Sequence, residues 1–235
     1  MITIIEQTRA MVQDYMGKLD PSHDMLHVDR VTRLALHLSK SCIENEKKKV
    51  DLELVELAAL CHDVGDRKYY DGSETGGELI YTFLTKQGYD HTRASLVSRI
   101  VDHVGFSKEL GWDDLKDDPE EVKWRRGCIE LHVVQDADKL DAIGAFGVLR
   151  CAAYSGAQNR PLYAPDQDPL NNMTKAEYEK QSKKKTGTAI NHFHEKLFRL
   201  KTMMRTERAK VMAEERDKFM RLFVQQTENE YNMLT

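Results

Sequence analysis

Long apolar runs are missing from this chain. The longest, counting glycine, is Ala142 to Leu149, less than half of the ~20 residues that a membrane-spanning helix needs. No membrane segment is therefore expected. Proline is scarce, at five residues, and glycine numbers 13, which excludes a collagen-like or low-complexity polymer. The hydrophobic fraction, 40%, is too high for a disordered chain. Four cysteines, Cys42, Cys61, Cys128 and Cys151, never fall in a CxxC spacing. Most lie in helix-like runs, as buried thiols of a reducing cytoplasm do. Positive charge is not in excess either: 35 Lys+Arg against 39 Asp+Glu leaves −4, which argues against nucleic-acid binding driven by net charge. The opening MITIIEQTRA has an acid at its sixth position and no basic stretch before an apolar core, so it does not read as a signal peptide. What remains is a folded cytoplasmic protein of 235 residues, long enough for a sizeable core. Composition says nothing of its oligomeric state.

Alternating runs of Val, Ile and Thr are nearly absent, whereas apolar residues recur at the helical period from end to end, so an all-α protein is expected. Ile2 to Met16 reads as a first helix closed by Gly17, and Ser22 as the cap of a second from about His23 to Lys47. Its buried side would carry Val28, Val31, Leu34, Ala35 and Leu38. Asp51 caps a third helix that is apolar nearly all round, as only a central core helix can be, and that ends in His62-Asp63-Val64-Gly65-Asp66. Further helices are expected over Glu74 to Lys86, Thr92 to His103, Glu120 to Leu140 and Ala142 to Ser155. Two segments break the pattern. Glu109 to Glu121 holds seven acids and one lysine and reads as a solvated turn. Ser155 to Met173 contains three of the five prolines and reads as a mobile loop or lid. Lys175 to Arg221 then gives amphipathic helices with a basic outer face. No repeat and no convincing linker divides the chain.

Two His-Asp dipeptides occur, His23-Asp24 and His62-Asp63. The second ends the most buried helix, where an unpaired imidazole and carboxylate would cost several kcal/mol unless a cation satisfied them. His27 on the preceding helix and the run Asp136-Ala137-Asp138-Lys139-Leu140-Asp141 offer further donors. Two imidazoles with two carboxylates make a mixed nitrogen and oxygen site suited to Mn²⁺, Fe²⁺, Co²⁺, Ni²⁺ or Zn²⁺ rather than Ca²⁺. Asp66, one helical turn after His62, could reach a water beside such a cation without being a ligand. Arg67, Lys68 and Lys139 set cations nearby, which suits an anionic substrate.

The series His27-x-x-Arg30-Val31, His62-Asp63-x-x-Asp66 and Asp136-Ala137-Asp138-Lys139-Leu140-Asp141 resembles the HD-domain metal-dependent phosphohydrolases. The strings SHDMLHVDRV, HDVGDRK and DADKLDAIGAFGVLR, with NHFHEKLFRLKTMMRT downstream, are similar to a subgroup of small HD proteins that includes nucleoside-triphosphate pyrophosphohydrolases. This resemblance spans about Asp20 to Phe223. It implies a single HD-domain helical bundle, its core over about 20–155, with C-terminal helices over 174–233 packed on that core. It also implies one divalent metal, Mn²⁺ first, held in the core by His27, His62, Asp63 and Asp138. Asp66 stands where relatives carry the glutamate of HDxxE that activates or orients water. Two-metal relatives use further histidines in the middle of the domain, where His91 and His103 are found.

Arg30, Lys68, Lys139, His103 and His192 are the candidates to hold substrate phosphate. His37 reads as a surface or packing residue, His132 as buried structure, and His194 points about 200° away from His192 on a helix. The expected function is hydrolysis of a nucleotide or other phosphate ester. Two alternatives compete with it: a non-catalytic nucleotide sensor that keeps the metal, and a zinc protease reading of His23-Asp24-Met25-Leu26-His27 as a variant H-E-x-x-H.

Overall fold

The computed structural model describes residues 2–17, 21–66, 70, 72–184 and 187–234. Among them every regular element is helical, as the periodicity predicts. The expected phosphate contact at Lys68, and Arg67 beside it, lie outside the described residues.

The chain forms two compact units, Met1–Leu19 with His23–Asp138, and Asp20–Ser22 with Lys139–Thr235. In the first unit α1 (Ile4–Met16), α2 (Met25–Glu46) and α5 (His91–His103) all pack on α3 (Leu52–Cys61). The reason is in the sequence of α3, whose residues Leu54, Val55, Leu57, Ala58, Ala59, Leu60 and Cys61 are buried on every side. Burying a leucine or valine side chain contributes about 1.5–3 kcal/mol, so α3 is both the core and the platform for whatever follows it. Asp51 caps it as expected, its Oδ1 accepting from the Leu54 N–H at 3.1 Å. α4 (Gly76–Lys86) packs on α5 and is opened by a capping box between Thr75 and Glu78.

Three expectations need correction. α2 is capped by Asp24, not Ser22: Asp24 Oδ1 accepts the His27 N–H at 2.9 Å, while Ser22 is buried. The helix expected over 120–140 is two, α7 (Pro119–Gly127) and α8 (Ile129–Asp141), broken where Cys128 turns extended and His132 Nε2 donates to the Arg125 carbonyl at 2.7 Å. Apolar spacing runs through that break, which is why periodicity alone missed it. The acidic stretch is a largely exposed turn only over 111–118: it begins in a short α6 (Phe106–Leu110) and ends in α7. The buried guanidinium of Arg125 then lies 2.7 Å from Asp117 and 3.2 Å from Asp114.

In the second unit α9 (Gly144–Ala157) extends beyond Ser155, so the proline-rich loop starts later than expected. That loop is tied down. Backbone N–H groups of Ala189 and Ile190 donate to the carbonyls of Pro161 and Leu162 at 3.0 and 3.1 Å. Glu195 Oε1 accepts from the Leu170 N–H at 3.0 Å, and Asn191 donates to the Gln167 carbonyl at 2.9 Å. α10 (Lys175–Lys184) and α11 (Ala189–His192) follow, then a π-helical turn over Phe193–Leu197, a helical turn α12 (Phe198–Leu200), a 3-10 turn (Lys201–Met203) and α13 (Glu207–Tyr231). α13 lays a stripe of Ala209, Ala213, Met220 and Val224 inward and packs on α9.

Candidate metal centre

The end of α3 is the centre of the first unit's chemistry. The helix stops at Cys61, and His62 through Gly65 form successive turns, with Val64 N–H on the Cys61 carbonyl at 3.0 Å and Asp66 N–H on the Asp63 carbonyl at 3.2 Å. Gly65 closes them at φ 75, the left-handed region. Asp66 is therefore not on a continued helix, and its one-turn offset from His62 is replaced by a backbone tie to Asp63.

His62 donates Nδ1–H to the Ala59 carbonyl at 2.8 Å, which turns Nε2 inward. The Nε2 atoms of His62 and His27 stand 3.1 Å apart, and both rings are buried. Asp63 Oδ2 is 3.2 Å from His27 Nε2 and 3.4 Å from His62 Nε2. From α8, Asp138 Oδ1 lies 3.9 and 3.8 Å from the same two nitrogens. Donors bound at ~2.0–2.2 Å to one cation fall roughly 3–4 Å from one another; His27, His62 and Asp63 meet that range among themselves, and Asp138 meets it toward the two imidazoles. Asp63 Oδ2 is moreover buried with no aligned hydrogen-bond donor. An orphaned buried carboxylate oxygen facing two imidazoles has a deficit of positive charge, and these residues fit a bound divalent metal.

The electrostatics agree. Burial opposes a proton on His62, yet Asp63 and Asp138, helped by the Ala59 carbonyl, outweigh it and raise its pKa to about 9. Burial likewise opposes charge on Asp63, and the two imidazoles hold that carboxyl well below its usual range. The protein draws positive charge to the point where the donors meet.

The other expected site residues have varied placements. Of the aspartates on α8, Asp141 pairs with Arg150 at 3.2 Å, Asp136 is fully buried, and Asp138 lies within 4 Å of both imidazoles. Arg30, half-buried, follows His27 by three positions on α2. His103 donates Nδ1–H to the Arg99 carbonyl at 2.6 Å, and its Nε2 lies 2.8 Å from Glu121, so both ring nitrogens face partners within the protein. His91 is exposed, 3.1 Å from the Tyr81 hydroxyl. Lys139, in the second unit, is buried and donates to the Met203 carbonyl at 3.1 Å. His192 ends α11 in that unit, just before the π-helical turn. His23 precedes α2, and Asp24 is occupied as its cap, so the two histidines of the zinc-protease reading do not share a helix face. One residue was overlooked: Lys108 on α6 is electrostatically coupled to Asp63, Asp66, Asp102 and Asp138. Nothing in its flanking sequence separates it from a solvated lysine.

The family model described as HD domain matches residues 25–143, a span that holds all four converging donors. The chain is an HD-domain protein. Members of this family typically bind a divalent metal, and the His27–His62–Asp63 cluster is present for it here. The HD protein is 36% identical over 225 residues to YpgQ of Bacillus subtilis, covering 96% of this chain and 92% of that one. The crystal structure of YpgQ in complex with ADP superposes with a TM-score of 0.68 at 33% identity, over 96% of this chain and 97% of that one. A protein from Lactobacillus plantarum gives a TM-score of 0.75 at 33% identity, over 99% and 100%. An HD-superfamily hydrolase from Bacillus thuringiensis gives 0.66 at 30%, over 97% and 96%. No helix among the described residues of this HD protein is long and apolar enough to cross a membrane.

Proposed function

We propose that the protein is a metal-dependent phosphohydrolase of nucleotides, cleaving (deoxy)nucleoside triphosphates with release of pyrophosphate. The observation that carries this reading is the convergence of two imidazole nitrogens and two carboxylate oxygens, one of them the orphaned Asp63 Oδ2. His27, His62, Asp63 and Asp138 would hold the cation. Mn²⁺ suits such a donor set first, ahead of Fe²⁺, Co²⁺, Ni²⁺ or Zn²⁺. A divalent cation bound there supplies Lewis-acid charge to phosphoryl oxygens and acidifies water. Asp66, tied by its N–H to the Asp63 carbonyl, orients the attacking water and takes its proton. Two aspartates cancel the cation's charge within the donor set, so the charge of a polyphosphate has to be met by side chains, Arg30 among them. The ADP bound by YpgQ supports a nucleotide as the substrate. Four free thiols, three of them buried, suit the cytoplasm.

The test is to incubate metal-reconstituted protein with a panel of nucleotides and identify the products by chromatography and mass. Monophosphate and pyrophosphate are expected from triphosphates, with the activity abolished by chelator and by Asp63→Ala. Full turnover in excess chelator overturns the reading, and nucleotide binding without turnover leaves a sensor.

A further inference from the structure

We infer that Lys108 is the cation that contacts the substrate's phosphate at the metal centre. This rests on the phosphohydrolase reading for its substrate, but not for its geometry, which follows a continuous path of contacts within the first unit. The turn that carries Asp63 packs directly on the start of α4: a β-carbon on Gly76 would stand 2.2 Å from the Val64 carbonyl oxygen and 3.4 Å from Val101 Cγ1. The next residue, Gly77, donates its N–H to Asp102 Oδ1 at 2.9 Å, and the Thr75 hydroxyl donates to Asp102 Oδ2 at 3.0 Å. Thus the last turn of α5 is fixed against the same backbone that flanks Asp63.

Lys108 reaches this frame from α6, which Gly105 opens at φ 130. Its Nζ donates to the Val101 carbonyl at 2.9 Å, beside Asp102. That bond uses one of the three ammonium protons. The field of Asp102 acts on the ammonium first, then those of Asp66, Asp63 and Asp138, so the ammonium is within electrostatic reach of the two candidate carboxylate ligands and of the water-orienting carboxylate. Burial lowers its pKa, and the four carboxylates act the other way. A half-buried cation held by a backbone carbonyl beside a metal centre can bind a phosphoryl oxygen without first giving up a salt bridge. Lysine meets phosphate as a point charge, and here the carbonyl and Asp102 restrict its position.

The role has a signature that mere support of the fold lacks, because removing the cation affects metal and anion in opposite senses. In the full-length protein, Lys108→Met is expected to bind Mn²⁺ as tightly as the wild type or up to about tenfold more tightly, since a repelling charge is gone. The same variant, loaded with Mn²⁺, should bind inorganic pyrophosphate about 10- to 100-fold more weakly in calorimetry, the loss of a charged hydrogen bond. Lys108→Arg should recover part of that loss. Pyrophosphate affinity within twofold of wild type overturns the inference, as does loss of Mn²⁺ and pyrophosphate affinity together, or a wild type that binds no pyrophosphate.

If the methionine variant does not fold, amine acylation of the Mn²⁺-loaded wild type, read by peptide mass spectrometry, serves instead. Saturating pyrophosphate should slow modification of Lys108 but not of exposed Lys123, and equal rates overturn the inference. Wild-type protein that turns over no nucleotide yet binds pyrophosphate through Lys108 sinks the phosphohydrolase reading alone. Unchanged kcat/KM in Lys108→Met sinks this inference alone.

Discussion

Asp63 and Asp66 are three residues apart and have different parts in the site. Asp63 Oδ2 faces both imidazoles, whereas Asp66 is outside the cluster of ligand atoms and joined to it through the backbone. Asp66→Asn is therefore expected to keep its metal, measured as bound metal per chain. Its kcat should fall by ~10²–10⁴-fold, the usual contribution of general acid or base action. A variant that loses the metal instead would make Asp66 a ligand, and one with near-normal kcat would move the proton-accepting role elsewhere. His62 and Asp63 were legible in the sequence because burial of a His-Asp pair demands compensation, and that demand is written in the apolar residues before it. Asp138 was legible only as one of three aspartates on α8. Separating it from Asp136 and Asp141 takes the rotation of the helix and the presence of Arg150. Lys108 was not legible at all, since its neighbours come from three other elements.

Among elements, the turn after α3 is the one on which the donor geometry depends. Gly65 stands at φ 75, and a β-carbon there would be 2.7 Å from Gly76 Cα, so Gly65→Ala strains the backbone and pushes the turn off α4. The expected result is a loss of about 1–3 kcal/mol in denaturant unfolding, with weaker Mn²⁺ binding because Asp63 moves. A variant with wild-type stability and metal affinity would show that the turn can re-form around the added methyl. The proline-rich loop is a second such element. Its anchor on Glu195 makes Glu195→Ala expected to speed proteolytic cleavage within residues 158–174, as the Leu170 N–H loses its acceptor. Equal cleavage rates would assign the hold to the backbone bonds at Pro161 and Leu162 alone. Helix existence was readable nearly everywhere from periodicity and caps, as Asp51 illustrates. The break at Cys128 and the loop's anchoring were not: apolar spacing runs through the first, where His132 holds the Arg125 carbonyl, and Glu195, distant in sequence, makes the second.

For the molecule as a whole, the consequential fact is that His27, His62, Asp63 and Asp138 all belong to the first compact unit, although they come from α2, the end of α3 and α8. A cation that binds these four donors binds the folded unit and not its unfolded chain, so its binding free energy adds to folding stability. At a free concentration 100 times its dissociation constant, that addition is about 2.7 kcal/mol, which for a unit of this size raises Tm by roughly 5–15 °C. Scanning calorimetry of the wild type with and without Mn²⁺ measures the shift directly. Asp63→Ala is expected to unfold at the same temperature in both conditions, since removing one donor leaves too few ligands to discriminate folded from unfolded chain. Where the two units melt separately, only the transition that includes the first unit should move with Mn²⁺. An equal Mn²⁺ shift in wild type and Asp63→Ala would mean that the stabilising cation binds elsewhere, because linkage ties the size of the shift to the donors that the folded state alone brings together.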